Sequence, residues 1–133
     1  MTQMIFVNLP VKDVVASTEF YTGLGFARND QFSDENVSSM VVSDTIVLML
    51  LAEPFFKSFT PKELGDVATT SSSTVCLSRE SRAAVDEITE KALASGGTFC
   101  KEPMDEGFMY GRSFFDPTGH LIEVMWMDPS MVQ

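Results

Sequence analysis

The chain repeats itself. Phe6-Val7-Asn8-Leu9 is matched by Thr74-Val75-Cys76-Leu77, and Leu24-Gly25-Phe26 by Gly97-Thr98-Phe99. Asp44-Thr45-Ile46-Val47-Leu48-Met49 is matched by Asp116-Pro117-Thr118-Gly119-His120-Leu121-Ile122-Glu123, with two extra residues in the second turn. The displacement is about seventy residues each time. Recurrence of this kind marks one supersecondary unit used twice, and it restricts the fold more than any local propensity does.

Each copy reads as βαβββ. In the first, residues 4–9 are a short apolar run that ends at Pro10. Asp13 can cap a helix through about Thr22, with Val15, Ala16, Phe20 and Leu24 as its apolar stripe and glycines at 23 and 25 to end it. Residues 26–32 begin a second strand, 34–36 form a polar turn, and 37–43 and 45–51 are two more strands. In the second copy residues 74–77 are a strand. Ser78 or Ser81 caps a helix through about Ser95, with Val85, Ile88, Ala92 and Leu93 inward and Gly96-Gly97 after it. Residues 98–101 are a strand and 102–108 a loop before the final hairpin. Between the copies, 52–73 holds Pro54, Phe55, Phe56, Phe59 and Pro61, then a Thr/Ser run. That composition predicts a short helix or ordered loop followed by a connector. Its aromatic cluster reads either as a lid over a pocket or as a plug on the core or a dimer contact. The expected architecture is α+β: residues 1–133 as a single domain, with modules 4–51 and 74–127 joined by 52–73.

The final hairpin holds the residue most in need of explanation. Strands 109–115 and 120–127 flank Asp116-Pro117-Thr118-Gly119, where Pro suits the second place of a tight turn and Gly the last. Side chains alternate along a strand, so Leu121, Glu123, Met125 and Met127 share one face and His120, Ile122, Val124 and Trp126 the other. Glu123 is the lone carboxylate among apolar strand residues. A buried carboxylate is costly unless it is paired or bound to a metal.

Charge and composition exclude several classes. Nineteen acidic against nine basic residues give a net charge of −10, which opposes nucleic-acid binding and adhesion to anionic membranes. No apolar run approaches about 18 residues, the length of a membrane span. The N-terminus lacks a secretory signal pattern, so a cytoplasmic location is expected. Cys76 and Cys100 make no disulfide framework. No His is placed by sequence to activate Cys76, which reads as a small buried apolar residue. No phosphate-binding fingerprint occurs.

The Asp-Pro-Thr-Gly-His-Leu-Ile-Glu-Val run resembles the closing strand of the vicinal-oxygen-chelate superfamily, which includes glyoxalases, extradiol dioxygenases, fosfomycin-resistance enzymes and bleomycin-binding proteins. Val11-Lys12-Asp13, Phe20-Tyr21 and Leu24-Gly25-Phe26 resemble its first module, so the likeness spans nearly the whole chain. It implies two βαβββ modules forming a curved mixed sheet, and a homodimer. In metal-dependent relatives the ligands lie on the first and last strands of each module. The internal repeat puts those places at Phe6, Met49, Thr74 and Glu123, and only Glu123 is a donor of the expected kind. One carboxylate cannot hold a hard divalent ion well. No metal and no other cofactor is therefore expected. An extradiol dioxygenase site needs two His and a carboxylate, and His120 is the only His, so that reading is rejected.

What the resemblance leaves is a pocket for a small organic molecule between the modules, similar to the bleomycin-resistance branch. Its expected walls are Phe6, Asn8, Met49, Thr74, Cys76, Glu123 and Met125. Met109, Tyr110, Arg112 and Phe114 lie on or beside the adjacent strand, and Arg112 is a candidate partner for Glu123 or for an anionic ligand. The alternative for the Met and Phe positions is plain core filling. Glu123 is the best candidate for any catalytic residue. Two other functions stand beside this one. One is a glyoxalase-type lyase or isomerase using zinc, nickel or manganese. The other is a dimeric interaction protein with a filled cavity.

Overall fold

The computed structural model describes residues 2–131. The chain divides into two compact units, Met1–Asp66 and Val67–Gln133. The division falls inside the stretch read from sequence as a connector.

The first unit contains β1 (Ile5–Val11), α1 (Val14–Gly23), β2 (Ala27–Arg28), β3 (Val37–Val41), β4 (Ile46–Ala52) and the one-turn α2 (Glu53–Lys57). The second contains β5 (Val75–Ser78), α3 (Arg82–Ala94), β6 (Thr98–Phe99), β7 (Met104–Asp105), β8 (Met109–Phe115) and β9 (Leu121–Met127). The sheet of the first unit runs β1-β4-β3-β2, and that of the second runs β5-β9-β8-β6 with β7 also paired to β8. In both, the first strand lies parallel to the last and the other pairs are antiparallel. The fold is α+β with two mixed sheets, and the two units share one βαβββ plan. No helix among the described residues is long and apolar enough to cross a membrane.

The helices start where side-chain caps start them. Asp13 accepts from the Ala16 N–H at 3.0 Å and Ser81 from the Ala84 N–H at 3.0 Å, each satisfying a donor that the first turn leaves open. Ser81, not Ser78, is the cap of α3. Along α3 the buried residues are Val85, Ile88, Thr89 and Ala92, a stripe at helical spacing. On α1 Phe20 and Leu24 are buried as the sequence suggests, but Ser17 and Tyr21 join them in place of Val15 and Ala16. Ser17, Phe20, Tyr21 and Leu24 are buried, whereas Val15 is 70% exposed. Spacing from Ser17 through Leu24 keeps to one helix face, and Val15 falls outside it.

Each long helix covers one face of its own sheet. Under α1 lie Met40, Leu48 and Leu50, and Leu9 and Val11 on β1 share their sheet face; all are buried. Under α3 lie Phe114, Ile122 and Val124. Burial of such side chains contributes roughly 1.5–3 kcal/mol each, which is why the helices dock on these faces.

Three local expectations change. The strand expected over 26–32 shrinks to β2, because the Asn29 side chain accepts from Gln31 N–H and starts a single 3-10 turn at Asp30–Phe32. The strand over 98–101 ends at Phe99. The loop over 102–108 contains β7, which Arg82 holds by a two-pronged ion pair to Asp105 at 2.9 Å on each arm. The 52–73 stretch does carry a short helix, α2. Phe55 and Phe59 meet edge to face with ring centroids 5.0 Å apart and remain 38% and 55% exposed.

Candidate functional site

The register of β9 decides which side chains surround Glu123. Glu123 lies opposite Cys76 on β5 and opposite Ser113 on β8, and Met125 lies opposite Ser78 and Gly111. These residues project from the face opposite α3. Thr74, just before β5, donates from Oγ1 to Glu123 Oε1 at 3.0 Å. The strand register puts no Lys, Arg or His on this face among the described residues. Among the strand residues described there Glu123 is the one charged group, partly buried, with Leu121 and Met125 as its neighbours along β9.

Cys76 is exposed on this face, not buried as its composition suggested. Partial desolvation of its sulfur by the surrounding sheet, and then the neighbouring Glu123 carboxylate, push its thiol pKa up, and both act against the thiolate that a nucleophile needs.

The first unit has the same geometry with different chemistry. Met49 lies between Asn8 on β1 and Ser39 on β3, as Glu123 lies between Cys76 and Ser113. Phe6 stands two residues before Asn8, as Thr74 does before Cys76. The repeat therefore locates equivalent positions correctly. Phe6 is 57% exposed and Asn8 is exposed.

Tyr110, Arg112 and Phe114 require a correction. The register pairs them with Trp126, Val124 and Ile122, which puts them on the α3 face, away from Glu123. Arg112 does not pair with Glu123. Its Nη1 lies 3.1 Å from Asp86 Oδ1 and 2.8 Å from Glu90 Oε2, both on α3. Tyr110 donates its hydroxyl to Asp86 Oδ1 at 2.6 Å, and that bond raises its pKa and keeps it a phenol. Phe114 is fully buried. Arg82 completes this cluster, donating also to the Gly107 carbonyl at 2.8 Å and resting over the rings of Tyr110 (5.1 Å) and Trp126 (5.3 Å). These residues fasten α3 to the hairpin.

Sequence reasoning passed over Asp86, Glu90 and Ser113. Asp86 and Glu90 lie four residues apart, hence on one helix face, which is a legible signal for a shared cation. Pairing Phe115 with Leu121 across the turn would have put Ser113 beside Glu123.

A metal is poorly served here. Among the described residues no three His, Cys, Asp or Glu side chains are grouped to hold one. The places that bear ligands in metal-dependent relatives carry a hydroxyl and a carboxylate in the second unit, and a phenyl ring and a thioether in the first. Catalytic zinc usually takes three protein ligands. The strand expected over 120–127 begins at Leu121, so His120 lies in the turn before β9, where its backbone N–H donates to Asp116 Oδ1. The residues present do not fit a catalytic divalent ion.

A family model described as the Glyoxalase/Bleomycin resistance protein/Dioxygenase superfamily matches residues 3–124. A hypothetical protein from S. aureus, SA1046, is similar in structure with a TM-score of 0.79 at 24% identity, over 95% of this chain and 94% of that one. A lactoylglutathione lyase from Agrobacterium tumefaciens is similar with a TM-score of 0.69 at 17% identity, over 95% and 94% of the two chains. A genomically encoded fosfomycin resistance protein from Listeria monocytogenes is similar with a TM-score of 0.69 at 18% identity, over 98% and 97%. At these identities the likeness shows the fold alone. No curated protein matches the chain.

Proposed function

This chain belongs to the glyoxalase/bleomycin resistance protein/dioxygenase superfamily, and on that premise we propose that it binds a small organic molecule without using a complete metal site. The observation that carries this reading is the state of Glu123. Its carboxylate accepts from Thr74 on the sheet face opposite α3, with no ion pair to it among the described residues and with Cys76, Ser113 and Met125 as its strand neighbours. A carboxylate kept in such surroundings is a recognition group more readily than a packing element. In the second unit Thr74, Ser113, Glu123 and Met125 are the contacting residues. In the first unit Phe6, Asn8 and Met49 occupy the matching places of its own sheet.

The glyoxalase-type lyase remains the second reading, because Glu123 stands where a family ligand stands. The two separate on metal affinity. Calorimetric titration of chelator-stripped protein with nickel, zinc and manganese, run beside Glu123→Ala, should give no stoichiometric binding tighter than micromolar. Binding of that strength that disappears in the variant would establish the lyase reading instead.

A further inference from the structure

We propose that the group recognised beside Glu123 is a protonated amine, with the Ser113 hydroxyl as its second acceptor. This rests on the binding reading above and adds the ligand's chemical class.

The inference starts from Ser113. It is 4% exposed, and among the described residues its Oγ has no hydrogen-bond partner. Buried hydroxyls are normally paired, and one that is not calls for an explanation. The register puts Ser113 directly across from Glu123, on the same face, where opposed side chains have Cβ atoms about 5 Å apart. A small group seated at Glu123 that displaces what covers the Ser113 hydroxyl can therefore touch both. The matching serine of the first unit, Ser39, is also 4% exposed, but it faces Met49 rather than a carboxylate. An unpartnered buried hydroxyl beside a carboxylate is thus a property of the second unit.

Charge then selects the ligand. Among the described residues Glu123 receives one hydrogen bond, from Thr74 to Oε1, and no ion pair. No basic side chain of the described strands shares its face, so an anionic ligand there meets repulsion. The net charge of −10 acts in the same direction at long range. A neutral hydroxyl satisfies the geometry but forgoes the charge-assisted bond, which is roughly twice as strong as a neutral one. An ammonium has three donors and no acceptor, so it suits two acceptors, the Glu123 carboxylate and the Ser113 oxygen. Met109, Met125 and Met127 on the same face give an adaptable apolar seat for the rest of the molecule. The ligand class is an amphipathic amine.

The test uses three matched probes: phenethylamine, phenethyl alcohol and phenylacetate. Each is titrated at neutral pH into the isotope-labelled full chain, and backbone amide shifts are followed. The amine should move the amides of Cys76, Ser113 and Glu123 and bind about tenfold or more tightly than the alcohol, a difference of about 1.4 kcal/mol. Glu123→Gln should abolish that preference, and Ser113→Ala should weaken the amine severalfold with an otherwise unchanged spectrum. If the alcohol or the acid moves the same amides as tightly as the amine, the amine inference is overturned and the binding reading stands. If no probe moves them at millimolar concentration, both fail. The comparison of probes on the unaltered protein stands even where a variant does not fold.

Discussion

Asp116 is a carboxylate 3% exposed, and its Oδ1 accepts from the N–H groups of Thr118, Gly119 and His120 at 3.0, 2.9 and 2.8 Å. Asp116→Ala leaves three turn donors without that acceptor, and chemical denaturation should show a loss of about 2–4 kcal/mol. Asp116→Asn keeps an oxygen in place and should lose about 1 kcal/mol. Asp105 presents a different case, since it is exposed. The hydrogen bonds from Arg82, then that from the Gly107 N–H, and the Arg82 charge bring its pKa down to about 2 from 3.8. A depressed carboxylate stabilises the fold above its ordinary pKa, and that contribution is lost as pH falls toward 2. Carboxyl NMR titration should find Asp105 near 2 in the unaltered protein and clearly higher in Arg82→Gln, though still below 3.8 because the Gly107 N–H bond remains. An unmoved value in the variant would mean that Arg82 is not the cause.

At the scale of elements, the β8–β9 turn is the most constrained connection. Gly119 has φ +117°, and a Cβ there would lie 2.9 Å from the Val67 carbonyl oxygen and 3.2 Å from its carbon. Both are backbone atoms and cannot swing aside. Gly119→Ala should therefore destabilise by roughly 2–3 kcal/mol, combining backbone strain with the clash. Gly25, after α1, has φ +105° with nothing within 4 Å of its added Cβ. Gly25→Ala should cost only about 1 kcal/mol, from strain alone. Thermal melts of the two variants side by side test the difference, and equal losses would remove the contact with Val67 from the account.

For the whole molecule, we propose a homodimer. β1 ends its sheet's strand order, and Met4, Ile5 and Phe6 there are 44%, 54% and 57% exposed. Phe55 and Phe59 add a second exposed aromatic pair. Exposed strand ends with apolar side chains call for cover, and a second copy is the expected one. Size-exclusion chromatography with light scattering at micromolar concentration should give twice the mass of one chain, and a clean monomer would overturn the proposal.

The sequence by itself determined what depends on local geometry and repetition. Side-chain caps at Asp13 and Ser81, the Asp116-to-Gly119 turn, and the recurrence that makes Phe6, Met49, Thr74 and Glu123 equivalent places were all legible, because each rests on neighbours along the chain. Only the tertiary structure decided which face of each sheet receives its helix and which side chains meet across strands. Arg112 looked like a partner for Glu123 because both are charged and close in sequence. Docking of α3 supplies Asp86 and Glu90 on the other face, and that pairing satisfies the guanidinium there. Ser113 drew no notice as one serine among many. It became a candidate recognition group only when register set it against Glu123 and packing closed over it, since neither burial nor the lack of a hydrogen-bond partner is written in a residue's name.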